Sequence, residues 1–143
     1  MKARRRALLR AVAILPLGIA SAAFAQDPRV SIVANVAREW LERVDRGDVA
    51  GSYARAGARF RKALTETAWT GAYDAERKPR GAVVQRALAG TRFESRAPGS
   101  SIEGEFAFLA YRTSFDKVAG ITETITLERE SDGAWRVVGY SIR

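Results

Sequence analysis

The sequence contains no cysteine and no histidine among its 143 residues. Without cysteine the chain has no disulfide, no thiol nucleophile and no lipid anchor attached through a cysteine. Without histidine it also lacks the commonest general base, and both preferred ligands of soft metal ions are missing. The sequence therefore predicts no metal site and no cofactor, and it leaves carboxylates and tyrosines as the groups available for acid–base chemistry.

The excess of positive charge is concentrated in the first residues. The chain has 24 Lys and Arg against 16 Asp and Glu, a net charge of +8. Five of these cations precede residue 11, and without them the balance is 19 against 16, or +3. A charge this small and dispersed is not typical of a nucleic-acid footprint. We therefore predict no nucleic-acid partner.

The one long apolar run, residues 11–22, is shorter than the roughly 20 residues that a membrane-spanning helix needs. It follows a basic segment and precedes Ala23-Phe24-Ala25, a small-x-small cleavage site. This pattern predicts a signal peptide over residues 1–25, cleaved after Ala25, and a single domain over residues 26–143.

The predicted location is the periplasm or the exterior. Arg5-Arg6 followed by Leu8-Leu9 resembles a twin-arginine export motif. An ordinary Sec signal that is rich in arginine fits equally well, so both export routes stay open.

The first half of the mature chain has helical periodicity. Asp27 and Pro28 suit an N-cap and the first helical position, and Gly47 suits a helix end. Asp48 is expected to cap a second helix whose buried side includes Tyr53 and Phe60 and whose ends Gly51 and Gly57 leave open, and Thr65 is expected to begin a third. The apolar stripe of the first helix recurs at three- and four-residue spacing and comprises Val33, Val36, Ala37, Trp40, Leu41 and Val44.

The second half alternates between apolar and polar residues, which predicts strands over residues 83–89, 91–96, 105–115 and 121–130 and after residue 134. Asp132-Gly133 predicts a type I′ hairpin. In the resulting register Leu127 faces Val138, Ile125 faces Tyr140 and Glu123 faces Ile142.

A second turn near Lys117-Val118 would place Arg112 opposite Glu123, Ala110 opposite Ile125 and Phe108 opposite Leu127. The fold class is therefore α+β, with N-terminal helices packed on a bent antiparallel sheet that ends in a β-hairpin.

An ordered set of motifs runs through the mature chain and comprises Trp40-Leu41, Asp45-x-Gly47, Tyr53, Phe60, Trp69, Arg77-x-Pro79-x-Gly81, Arg86, Gly104-Glu105-Phe106, Thr113-Ser114-Phe115, Glu123-Thr124 and Gly133-x-Trp135-Arg136-Val137-x-Gly139-Tyr140. This set resembles the bacterial family of exported proteins known as domain of unknown function four-zero-one-nine, with an NTF2-like cone. The resemblance implies export and a cone-shaped α+β fold, but no activity, because the family has none assigned.

Two carboxylates are candidate catalytic residues. Asp45 lies near a helix C-terminus, where the helix dipole disfavours negative charge, although a solvated or capping acid fits as well. Glu123 is in phase with Ile121 and Ile125 on an apolar face, so it must be paired or functional. Arg112 is its predicted partner and Arg86 a possible second one; the pair is either structural or reads a ligand. The residues that could line a pocket, or fill the core, are Trp40, Tyr53, Trp69, Phe106 and Phe108, with Arg112 and Glu123.

Two functions remain open. The first is a non-catalytic exported module that binds a small apolar ligand or a protein partner in the cone. The alternative is a hydratase- or isomerase-like enzyme that uses a carboxylate–tyrosine pair. We also predict a possible homodimer, because one sheet face would expose a continuous apolar patch formed by Leu109, Tyr111, Trp135 and Val137. The alternative is that a curled sheet or the N-terminal segment of the mature chain covers this patch.

Overall fold

The structure is a computed structural model that describes residues 26–97 and 99–143. The predicted signal peptide lies outside these residues. None of the helices within this described part is both long and apolar enough to cross a membrane. The elements are, in order, α1 Arg29–Asp45, α2 Val49–Arg55, α3 Ala58–Ala63, α4 Glu66–Ala72, a π-helix Tyr73–Arg77, a 3₁₀-helix Lys78–Arg80, β1 Val83–Arg96, β2 Glu103–Phe115, β3 Ile121–Arg129 and β4 Trp135–Ile142.

The first helix forms as its periodicity predicts. It begins one residue later than expected, and Asp27 accepts a hydrogen bond at 2.9 Å from the backbone N–H of Arg29. Gly47, with φ of +75°, follows the helix and is suited to this left-handed conformation because it has no Cβ. The buried residues of α1 are Val33, Ala37, Trp40, Leu41 and Val44.

The predicted second helix is divided into α2 and α3. The division arises because Ala56 and Gly57 are both extended, with ψ of 156° and 163°. The side chains of Asp48 and Thr65 each accept a backbone N–H in the first turn of α2 and α4. These caps fix where the two helices begin.

The four strands form one antiparallel sheet in the order β1-β2-β3-β4. The two strands predicted over residues 83–89 and 91–96 are a single strand, β1. The prediction separated them at Gly90, where the structure has a register irregularity between Leu88 and Gly90. A glycine in a strand often marks such a bulge, and here the strand continues through it.

The predicted register between β2 and β3 is wrong by one residue. Glu123 lies opposite Tyr111, and Arg112 lies opposite Thr122. The turn between the strands is closed by the N–H of Phe115, which donates to the carbonyl of Val118 at 2.8 Å. A shift of one residue turns every side chain of a strand to the other face. Odd-numbered residues of β2 therefore face the helices.

The hairpin between β3 and β4 is only partly as predicted. Glu123 lies opposite Ile142, as expected, but an irregularity after Thr126 places Leu127 opposite Val137 instead of Val138. The turn is not type I′, because Gly133 has φ of +83° and no non-glycine residue in the described chain has positive φ. The bulge changes which residues of β4 face the core.

The core lies between α1 and the inner face of the sheet. The exposed apolar patch predicted on the far face is wrong, because its four residues are buried in this core instead. Their exposed fractions are 0% for Leu109, 7% for Tyr111, 8% for Trp135 and 1% for Val137. A homodimer through these side chains therefore loses its basis. Burial of each large apolar side chain contributes about 1.5–3 kcal/mol, so the chain itself gains by covering them.

Candidate functional site

Glu123 is completely buried on the inner face of β3. Its Oε2 accepts hydrogen bonds from Arg86 Nε at 2.7 Å and from Thr113 Oγ1 at 2.5 Å. Its Oε1 accepts from Arg86 Nη2 at 3.1 Å and from the Tyr140 hydroxyl at 2.7 Å. Arg86, and not Arg112, is therefore the partner of this carboxylate.

Arg86 on β1 is held between two carboxylates. Besides Glu123 it binds Asp45, with Nη1 donating at 2.6 Å and Nη2 at 3.0 Å. Burial by itself lowers the pKa of Arg86, but the hydrogen bonds and charges of Asp45 and Glu123 raise the pKa of its guanidinium overall. A guanidinium carries five N–H groups. Four of them are used by these two acids, which leaves one on Nη1.

Asp45 and Arg77 complete the network. Arg77 Nη2 donates to Asp45 at 3.1 Å, and Nη1 donates to the carbonyl of Gly81 at 2.7 Å. The Arg77 guanidinium also lies 4.4 Å from the ring centre of Phe115. Two carboxylates thus balance two guanidiniums, which is the arrangement that offsets the cost of burying charge.

The carboxylate–tyrosine pair of the enzyme alternative is present as a contact between Glu123 and Tyr140. Burial, followed by the negative charge and hydrogen bond of Glu123, raises the pKa of the Tyr140 hydroxyl well above its usual range. Glu123 accepts four hydrogen bonds and is inaccessible to solvent. A general base needs to reach the proton that it abstracts, and this geometry does not favour that role.

A groove of about 390 Å³ opens beside the network, between α1 and strands β1 and β2. Arg86 lines it and keeps 14% of its side chain exposed. Burial raises the pKa of the Tyr111 hydroxyl on one wall. The other residues that line the groove are Ala34, Asn35, Arg38, Leu41, Glu42 and Leu88.

The predicted aromatic pocket residues of the helices are packed together. Trp40 and Trp69 have ring centres 5.6 Å apart, and both indole N–H groups donate to Ser52 at 2.9 Å. Tyr53 lies against Phe60, with ring centres 6.3 Å apart. These rings are part of the core; their role in binding a ligand stays a prediction.

The other predicted pocket residues lie on β2, on the face away from α1. Phe106 is covered by the guanidinium of Arg59, 5.7 Å from the ring centre, and Phe108 by that of Arg92 at 4.7 Å. Arg112 is exposed on this face. The wrong register placed all three on the inner face, and the structure does not bring them to Glu123.

Sequence reasoning missed Arg77 and Thr113 as partners of the two acids, and Leu88 and Tyr111 as groove residues. Arg77 lies among charged residues before a turn, where a solvated role is the ordinary expectation. Its only signal is its place, with Thr113, among the residues that carry the family resemblance. Within the described chain no group of three or more potential metal-ligating side chains is assembled.

A model of the family described as Protein of unknown function (DUF4019) matches residues 36–140. The chain belongs to this family. All six residues of the network, Asp45, Arg77, Arg86, Thr113, Glu123 and Tyr140, lie within the range that the DUF4019 model matches.

No curated protein matches this DUF4019 chain. Among solved structures it is similar to Aln2 from a Streptomyces species, with 17% identity over 82% of this chain and 91% of that one, and a TM-score of 0.49.

Proposed function

We propose that this DUF4019 chain is an exported, non-catalytic module that binds a small amphipathic ligand in the groove between α1 and strands β1 and β2. The observation that carries the proposal is the groove itself. Its volume of about 390 Å³ lies in the range of small-molecule sites, and Arg86 is fixed by its ion pairs beside apolar walls. The two other charged residues of the lining, Arg38 and Glu42, pair with each other at 2.9 Å.

The chemistry of the lining indicates which ligand fits. Leu88 and Tyr111 on the sheet, with Ala34 and Leu41 on the helix, offer an apolar surface to a hydrocarbon body. Arg86 has one N–H that no described residue accepts, and it can donate to a carboxylate or carbonyl oxygen. The ligand class is therefore an apolar molecule with one hydrogen-bond acceptor at its end.

The network beside the groove supports binding more than catalysis. Arg86 cannot change its position without breaking its bonds to Asp45 and Glu123, so it is preorganised as a donor. A donor held in place loses little conformational entropy when a ligand binds. The enzyme alternative is not favoured, because Glu123 and Tyr140 already satisfy each other.

Decanoate and decanol are suitable probes, measured by titration calorimetry. We expect decanoate to bind more tightly than decanol, and Leu88→Ser, which removes apolar contact without adding charge, to weaken decanoate binding by about tenfold, the effect of roughly 1.4 kcal/mol. Val84→Ser is the matched control, because Val84 is on the same strand, 70% exposed, and does not line the groove. Equal binding by both variants, or no binding by the wild type, would contradict the proposal.

Export through residues 1–25 is part of the same proposal, as is the NTF2-like cone implied by the family resemblance. We expect the secreted form to begin at Gln26, which N-terminal sequencing or intact mass would determine. Replacing Arg5 and Arg6 together by lysine should block export if the twin-arginine route operates, whereas normal processing indicates the Sec route. A mature protein that still begins at Met1 would disprove the signal peptide.

A further inference from the structure

Strand β1 forms one edge of the sheet. Along Val83–Arg96, the described chain supplies no strand other than β2 as a partner. The opposite edge is partly occupied, because the N–H of Gly57 donates to the carbonyl of Val137 at 2.7 Å. Alternate N–H and C=O groups of an edge strand point away from the sheet and can pair with another strand.

Two of the usual devices that protect an edge, lysine and proline, are missing from β1, which is 14 residues long. Two of its large apolar side chains are exposed, Val84 by 70% and Leu88 by 41%. Register irregularities lie between Val83 and Gln85, between Leu88 and Gly90 and between Glu94 and Arg96, and residues 90–94, between the last two, pair with β2 without interruption. This central run is a regular edge that another strand can extend.

The side chains of this run complement a second copy of themselves. Arg92 and Glu94 point to the outer face, where Arg92 Nε lies 2.7 Å from Glu94 Oε1 and both remain about half exposed or more. Phe93 points to the inner face, beside a cleft of about 240 Å³ that it lines with Arg29 and Ser95.

We propose that two copies of this chain pair antiparallel through their β1 edges, with the two-fold axis at Phe93. In this register Arg92 lies opposite the partner's Glu94, and Glu94 opposite the partner's Arg92. Phe93 lies beside the partner's Phe93, and the two sheets form one sheet of eight strands with all helices on the same side.

The charges select this register. Moving the axis by one residue would place Arg92 opposite the partner's Arg92, or Glu94 opposite the partner's Glu94. Like charges directly opposite each other destabilise a strand pair. The proposed dimer does not depend on the proposed ligand, because the regular run of residues 90–94 begins after Leu88, the last residue of β1 that lines the groove.

The test uses two charge reversals that are each unfavourable alone and complementary together. Arg92→Glu places acids opposite acids across the two-fold axis, and Glu94→Arg places bases opposite bases. Mixed in equal amounts, they form a pair in which each acid meets a base. Both side chains are exposed, so both variants are expected to keep the wild-type fold.

Mass is measured by light scattering at concentrations up to about 200 µM, because a small edge interface binds weakly. We expect the wild type to be a dimer, each variant to be a monomer, and the mixture to recover the dimer. Arg112→Glu, on the outer face of β2, is the control and should remain dimeric. A monomeric wild type overturns the proposal. If both single variants are dimers, or if their mixture does not recover the dimer, the pairing of Arg92 with the partner's Glu94 is wrong.

Discussion

Replacing Glu123 by glutamine tests whether the buried network stabilises the fold as its geometry indicates. The substitution removes one of two negative charges and leaves Arg77 and Arg86 with Asp45 alone. It also turns an amide NH₂ towards donors, because Arg86, Thr113 and Tyr140 all donate to the present carboxylate. The network then holds an uncompensated charge and an unsatisfied donor.

The expected loss is about 3–5 kcal/mol, the cost of breaking a buried ion pair by removing one partner. Because the unfolding free energy of a domain is typically about 5–15 kcal/mol, this loss removes a large part of its stability. Tryptophan fluorescence during urea denaturation measures it, since Trp40, Trp69 and Trp135 are all buried.

Glu128→Gln is the matched control. Glu128 lies on the same strand and accepts two hydrogen bonds at 2.8 Å from Arg59, but this arginine is 36% exposed. An ion pair in contact with solvent contributes about 0–1 kcal/mol. If Glu123→Gln lowers the free energy of unfolding no more than Glu128→Gln does, burial does not determine the cost of removing the Glu123 charge, and the prediction is wrong.

A double replacement separates the charge from the packing. Glu123→Leu with Arg86→Met removes one acid and one base together and leaves Asp45 with Arg77. Apolar replacement of both partners in a buried pair is often neutral or stabilising. We expect the double variant to have a higher free energy of unfolding than Glu123→Gln. A lower value would contradict this expectation and show that the pair of Glu123 and Arg86 stabilises the fold more than an apolar pair does.

Two further predictions concern turns. Hydrogen bonds from Arg136, and secondly from the backbone N–H of Ala134, lower the pKa of Asp132 from 3.8 to about 2. The ionised Asp132 therefore stabilises the fold above pH 3.8, and this contribution is lost as the pH falls to about 2. The free energy of unfolding, measured by urea denaturation across this interval, should therefore differ less and less between wild type and Asp132→Asn as the pH falls. A constant difference would contradict the lowered pKa of Asp132. Gly81→Ala should lower the thermal midpoint, with a loss of about 1 kcal/mol or more, because Gly81 has φ of +80° and a Cβ there would collide with Asp116. Gly90→Ala is the control and should leave the midpoint almost unchanged, because a Cβ at Gly90 would meet no atom within 4 Å and its φ is not positive.

Local sequence was sufficient to predict α1, its buried face and the residues where α2 and α4 begin. The apolar residues from Val33 to Val44 recur with the helical period and lie on one face of the helix, so the same pattern predicts both the helix and the face that it buries. Asp48 and Thr65 marked helix starts because their side-chain oxygens meet backbone N–H groups within the same turn. These are local interactions, and local sequence is sufficient to predict them.

Which face of β2 is buried follows from the folded sheet and not from the local sequence. Phe106, Ala107, Phe108 and Leu109 are all buried, so both faces of this strand are apolar and alternation cannot choose between them. The choice depends on the geometry of the turn at Phe115 and Val118, where one residue reverses every side chain.

The ion network also depended on the tertiary structure. Its acids come from α1 and β3, and its bases come from the π-helix and β1. Even the two of these four residues that are nearest in sequence, Arg77 and Arg86, are nine positions apart. The sequence required a partner for Glu123, because an isolated charge on an apolar face is too costly. It could not identify Arg86 over Arg112, since the register between β2 and β3 turns Arg112 to the other face, and only the folded sheet brings Arg86 of β1 to Glu123.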